Sequence, residues 1–279
     1  MSHLPVIPVP EFVRRSPSPA LAGLVRSLWY LRAPSGGDSE RILPIPYVHV
    51  IVNLGEPYVV ESHGGTRLDR RLDGPFIAGL QSTYLVNRNP RLIHHVGAEL
   101  EPFAWRAFGA SPFADDVRDA TEALPALNAV AHGARHLSPD GAIDLLEAAL
   151  TDSLTGKAPS PVAVAAVLAI AADPSAPMSA IAAHVGVRAS SLPDLFKRAT
   201  GTTPKLHAEV YRFHRFLDAV AAGMPLPTWT QLVANTSYYD QPHFNRTFVR
   251  FAGVTPREYL AALGEDGRAD PSFIASQSA

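Results

Sequence analysis

Apolar and polar positions alternate along this chain in two distinct regimes. Up to about residue 110, apolar residues come in short runs divided by turn residues: 47–54 (YVHVIVNL, closed by Gly55), 58–61, 75–80, 84–87 and 91–96. Short runs between such breaks predict the strands of a small sheet or barrel. In the run 47–54, Val48, Val50 and Val52 share one face, and His49, Ile51 and Asn53 share the other. Both faces are partly apolar, which suits a strand beside an internal cavity and equally an ordinary sandwich strand. From residue 111 the period lengthens. After the turn Ser138-Pro139-Asp140-Gly141, the spacing of Ile143, Leu146, Leu150 and Leu154 is helical, and two or three helices are expected over 112–155.

The segment 155–161 (TGKAPSP) reads as a linker, and beyond it the start and stop signals sharpen. Ser160 and Pro161 open a helix through Ala172. A short helix at 179–185 closes at Gly186, and another at 190–200 stops at Gly201. Thr203-Pro204 opens a long helix to Ala222, followed by Gly223. Thr228 and Gln231 form a capping box for a helix to about Asn235, and Asp240 caps a helix over 241–252 that stops at Gly253. Thr255-Pro256 with Glu258 caps the last helix, which ends at Gly264. The expected fold is α+β in two domains. Residues 1–155 form a small β-barrel or sheet with trailing helices, 160–264 form an all-α domain, and 265–279 form a flexible tail.

A repeat lies inside the helical part. Leu192-x3-Phe196-x4-Gly201-x-Thr203-Pro204 recurs as Phe244-x3-Phe248-x4-Gly253-x-Thr255-Pro256, offset by 52 at every position. Each copy follows a short helix and a tight turn, which is the helix-turn-helix plan. The apolar pair at i, i+4 anchors one face of the second helix and leaves the opposite face for a partner. The long helix between the copies would span about 28 Å at 1.5 Å per residue. Such a rod can hold two recognition helices about one DNA turn apart. The same repeat also fits a purely structural array of helix pairs.

Charge weighs between these readings. The chain has 279 residues and a net charge of −2. Residues 177–263 carry nine Lys and Arg against five Asp and Glu, a net of +4, so the remainder is −6. A basic segment in an acidic chain points to a polyanion partner. Hydrophobic residues make up 47%, and mean hydropathy is +0.04, which suits a globular chain able to bury a core. The longest nearly unbroken apolar run, 162–172, is well short of the ~20 residues a bilayer demands, so no membrane partner is expected. The start MSHLPVIPVPEF has no secretory pattern, and a cytoplasmic location is expected. There is no Cys, which removes thiolate metal sites and cysteine nucleophiles.

With these residues in view, 162–263 resembles the paired helix-turn-helix domain of AraC/XylS-type transcriptional regulators. The resemblance rests on Leu192, Phe196 and GTTPKLH (201–207), and on YYDQPHFNRTFVRFAGVTPREYL (238–260). The N-terminal pieces LVRSLWYL (24–31), ILPIPYVHVIVNLGEPY (42–58), FIAGLQST (76–83) and FGASPF (108–113) resemble the sensor half of one subgroup. In such proteins that half is usually a small β-barrel that senses a small molecule or mediates dimerisation. The resemblance implies that Asp240 caps the second recognition helix and that Gln241, His243, Asn245 and Arg246 face base edges or nearby phosphates. Gln suits adenine and Arg suits guanine. Arg250, one turn on, suits a phosphate. In the first motif Ser190, Ser191, Lys197 and Arg198 are the candidate contacts. Arg188, Pro193, Asp194 and Ser237 depart from the family pattern. Pro193 is expected to shorten or kink its helix, and Asp194 to repel phosphate.

The expected function is sequence-specific DNA binding in transcription regulation, on double-stranded DNA. A small-molecule effector in the N-terminal domain, a homodimer and, for an activator, RNA polymerase are the further partners. The alternative is a small-molecule sensor whose DNA contacts have weakened. No enzyme, cofactor or metal is expected: there is no P-loop, G-x-S-x-G or G-x-G-x-x-G motif, and His132 and His136 at i, i+4 lack a third ligand. Trp29, Tyr30, Tyr47, Tyr58, Phe76, Tyr84 and Trp105 are candidates for an effector pocket or for ordinary core.

Overall fold

The strands predicted from the apolar runs are present, and each sheet buries them by the side-chain alternation of a strand. The computed structural model describes residues 10–35, 37–221, 241–266 and 273–275. A six-stranded sheet has the order β1-β2-β9-β4-β7-β10, built from β1 (Glu11–Arg15), β2 (Val25–Pro34), β4 (Val48–Asn53), β7 (Pro75–Ala78), β9 (Leu92–Leu100) and β10 (Val117–Asp119). A five-stranded sheet has the order β11-β3-β8-β5-β6, from β3 (Ser39–Ile42), β5 (Tyr58–His63), β6 (Thr66–Leu72), β8 (Leu85–Arg88) and β11 (Phe273–Ala275). The pairings within both sheets are antiparallel. The two sheets do not close into the barrel that was one of the expected forms.

Both faces of β4 are used. Val48, Val50 and Val52 join a core with Leu28, Val96 and Ala98, covered by α1 (Leu127–Gly133) and α2 (Pro139–Asp152). Ile51, on the opposite face, packs on a second cluster that includes Tyr58, Phe76 and Leu85. Beside Val50, Ile77 and Trp105 the first core encloses a cavity of only about 10 Å³. The seven aromatics therefore do not line one pocket. Tyr30 and Trp105 lie in the first core, Tyr58 and Phe76 in the second cluster, and Tyr47 and Tyr84 against the helical half. Trp29 lies over Gly97 of the adjacent strand and near the rings of His49 and His95.

The helical half has two cores that share one rod. Ser160 caps α3 (Pro161–Ala172), its Oγ accepting from the Ala163 amide at 3.4 Å. α3 packs with α4 (Met178–His184), α5 (Leu192–Thr200) and the first part of α6 (Pro204–Ala221) around Val167, Ile170, Ile181, Leu192 and Phe196. The rest of α6 supplies Phe213, Phe216 and Leu217 to an aromatic core with α7 (Gln241–Ala252) and α8 (Pro256–Asp266). Phe216 meets Phe248 edge to face, with centroids 5.4 Å apart. The capping box at α8 forms as the sequence indicates. The Thr255 amide and hydroxyl donate to Glu258 Oε2, and the Glu258 amide donates back to Thr255 Oγ1. Gly223, the capping box Thr228/Gln231, the helix to Asn235, Ser237 and Asp240 lie outside the described residues.

Two segments differ from expectation. The linker begins tied down, since the Thr155 amide donates to the Ala107 carbonyl at 2.8 Å. In the stretch expected to be a loose tail, α8 continues to Asp266, and β11 pairs with β3, placing Phe273 opposite Ile42 and Ala275 opposite Glu40. The reason is an open strand edge: β3 would otherwise leave backbone groups unpaired, and a short apolar segment satisfies them.

Candidate nucleic-acid interface

Local chemistry sets the outward face of α5. Leu192 and Phe196 are 1% and 0% exposed, and Thr200 is buried on the same stripe. That leaves Pro193, Asp194, Lys197 and Arg198 exposed. Ser190 is exposed and Ser191 half-buried, both just before the helix, which begins at Leu192 rather than at the expected residue 190. Pro193 does not kink α5. It occupies the first turn, where its missing N–H has no intrahelical partner to lose. Behind this helix, His207 of α6 is wedged between the rings of Phe196 and Tyr211 at 5.5 and 5.0 Å. Burial pulls its pKa down from 6.5 to about 3, so the imidazole is neutral.

α7 repeats the plan at the offset of 52. Phe244, Phe248 and Phe251 are buried, and Pro242, Arg246, Val249 and Arg250 are exposed. Asn245 and His243 are half-buried. Gln241 begins the helix, and its side chain lies outside the described part. Arg246, Lys197 and Arg198 are therefore exposed on the faces opposite these anchors. Arg250 is engaged elsewhere. Its guanidinium lies 2.5 Å from the Glu209 carboxylate of α6 and over the Phe251 ring, and its carbonyl accepts from Thr83 Oγ1.

The repeat also pairs residues that the motif comparison left out. Lys205 and Arg257 occupy equivalent positions just after each Thr-Pro, and both are exposed. Asp194 and Arg246 are likewise equivalent, so one outward position carries opposite charges in the two halves. Val249 adds an exposed apolar side chain one turn from Arg246, a group suited to a thymine methyl. The signal for these was the offset itself, applied to every position rather than to the anchors alone. Other basic residues of the segment are structural: Arg215 donates to the Ala171 and Ala172 carbonyls at the end of α3, and Arg212 to the Pro174 carbonyl.

The N-terminal half rests on the C-terminal ends of both outward helices. Gly201 ends α5 at φ +83°, and a Cβ there would lie 2.7 Å from the Phe113 carbonyl carbon. Gly253 ends α7 at φ +70°, and a Cβ there would lie 2.6 Å from the Tyr84 ring. Each glycine thus meets a need for a left-handed backbone and for close approach. Between these points Tyr211 of α6 faces Tyr47, their hydroxyls 3.5 Å apart. Among the described residues there is no His, Asp and Glu group that could hold a metal ion. His132 instead bonds the Asn128 carbonyl of its own helix. No helix among them is long and apolar enough to cross a membrane.

Comparison with known proteins gives two family matches. Residues 181–262, which span the repeat, match a family described as a helix-turn-helix domain. Residues 13–120 match a domain of unknown function, DUF6597. No curated protein matches the chain. Among solved structures the chain is similar to ToxT from Vibrio cholerae bound to (E)-4-(8-methylnaphthalen-1-yl)but-3-enoic acid. The TM-score is 0.50 at 10% identity, covering 91% of this chain and 98% of that one. Wild-type ToxT bound to an unsaturated fatty acid gives a TM-score of 0.49 at 8% identity, covering 93% and 97%. At these identities the likeness is one of overall fold.

Proposed function

We propose that this chain, an AraC/XylS-type regulator by its paired helix-turn-helix domain and N-terminal sensor-like domain, binds double-stranded DNA sequence-specifically and reads adjacent major grooves with α5 and α7. The observation that carries this reading is the repeat. Both outward helices turn a buried Leu/Phe or Phe/Phe pair inward and a polar face outward, and one rod, α6, joins them. α6 has 18 residues, so it spans about 27 Å. Arg246 reads a base edge, with Asn245, His243 and Gln241 beside it. Ser190, Ser191, Lys197, Arg198, Lys205 and Arg257 hold phosphates and set register. The role is non-enzymatic and cytoplasmic. ToxT structures hold carboxylic acids, and by analogy a small molecule controls this chain through its N-terminal half. A homodimer and, for an activator, RNA polymerase complete the set of partners.

The test is selection of genomic fragments by the full chain, followed by footprinting. Two protected patches on one face of the duplex, one helical turn apart, are expected. A single patch would remove α5 from the reading. A second reading, a sensor with weakened DNA binding, is favoured by the exposed Asp194 and by the Arg250–Glu209 ion pair. Failure to enrich any fragment at low salt would favour it.

A further inference from the structure

We propose a binding site for a small organic dianion, a dicarboxylate or a phosphate monoester, on the outer face of the N-terminal half. It is a cleft of about 610 Å³ where the corner between α1 and α2 overhangs the six-stranded sheet. This volume lies within the usual range for small-molecule sites. The floor is one row across three strands: Glu11 of β1 pairs in register with Arg32 of β2, and Arg32 with His94 of β9. Arg135 and His136 reach the cleft from the overhanging corner. Four cationic or imidazole groups therefore converge on one concave space, against the single carboxylate of Glu11.

No carboxylate of the described residues offsets that charge by an ion pair: none lies within ion-pair distance of Arg32, Arg135 or His136. Residues 1–9, which precede the described part, contain no Asp or Glu. His94 is held to Tyr30, its Nε2 3.1 Å from the phenol oxygen. Burial and the charges of Arg32, Arg135 and His136 lower its pKa, so it stands as a neutral hydrogen-bonding group between two guanidiniums. Two guanidiniums facing one cleft suit a ligand with two anionic groups or one doubly charged one, which each can bind in bidentate fashion. The exposed Leu137 and buried Leu54 beside them favour a short hydrocarbon body over a bare ion. The start of α2 contributes only a mild positive end, since Ser138 already caps it.

The proposal concerns the N-terminal half alone and stands or falls separately from DNA binding. The test is isothermal titration calorimetry of the full chain at constant ionic strength, with succinate, glycerol 3-phosphate and inorganic phosphate as probes and chloride as the control. Saturable one-to-one binding of succinate or glycerol 3-phosphate is expected, weakened at least tenfold in Arg32→Ala and in Arg135→Ala. Arg32→Ala should keep the unliganded melting temperature, because its side chain is exposed and makes no ion pair. Arg135→Ala also removes the Nε bond to the Ala131 carbonyl at 3.2 Å, so its binding is compared at a temperature where the variant is folded. Absence of saturable binding by both organic probes overturns the proposal. Equal binding by wild type and both variants overturns it too, by placing the ligand elsewhere. Tighter binding of inorganic phosphate than of either organic probe overturns the assignment of an organic ligand.

Discussion

Arg250 and Glu209 form an ion pair at 2.5 Å that joins the second outward helix to the rod between the two motifs. The pair places a candidate phosphate contact against the protein's own carboxylate. Glu209→Gln should release the guanidinium. Affinity for duplex DNA should rise, and the slope of log K against log salt should steepen by about one, as for one added phosphate contact. Binding measured from low to moderate salt decides it, and an unchanged slope leaves Arg250 outside the interface.

The equivalent positions Asp194 and Arg246 make a paired prediction. Arg246→Ala should cost at least about tenfold on a selected site, from ~1–3 kcal/mol per bidentate base contact, and relax preference at one base pair. Asp194→Asn should instead strengthen binding on all sequences alike, by removing a repelled carboxylate. Competition against base-substituted sites separates the two effects.

Gly201→Ala and Gly253→Ala should each destabilise the chain by more than ~1 kcal/mol, because alanine resists the left-handed backbone that both need. The second cost, collision with the N-terminal half, differs between them. At Gly253 it comes from the Tyr84 ring, so Tyr84→Ala should recover part of the loss. At Gly201 it comes from the Phe113 backbone, which no side-chain change relieves. Denaturant unfolding of the single and double variants measures the coupling.

The buried neutral His207 predicts acid sensitivity. Its pKa is about 3 in the fold against 6.5 as a free group. Below pH 6.5 the unfolded chain takes up a proton that the fold refuses. Stability then falls by up to ~1.4 kcal/mol per pH unit until about pH 3, with no effect above 6.5. His207→Phe should flatten that decline, read as stability at pH 4.5 relative to pH 7. An equal decline in the variant would place the sensitivity elsewhere, with His95 another imidazole held near 3.

What the sequence disclosed was mostly local. The cap at Ser160, the box at Thr255 and Glu258, and the anchors Phe196 and Phe248 each depend on residues within one or two turns, and each is in place. β6 gave no signal because TRLDRRL is a largely exposed edge strand without an apolar run. The strand order was not legible, since β9 lies between β2 and β4, partners distant in sequence. The Arg250–Glu209 pair depends on how α7 meets α6, and the cleft brings Arg32 to Arg135 only after the α1–α2 corner folds over the sheet. The helix start at Leu192 was displaced by Pro193, which sets where the first turn can begin.

The short strand β11 alters what kind of motion the molecule permits. With the chain passing into the helices at 155–161 and returning to β3 at 273–275, the helical half is fastened at both ends. To part the helical half from the sheets, those three residue pairs would have to break together with the contacts at Gly201, Gly253 and Tyr211.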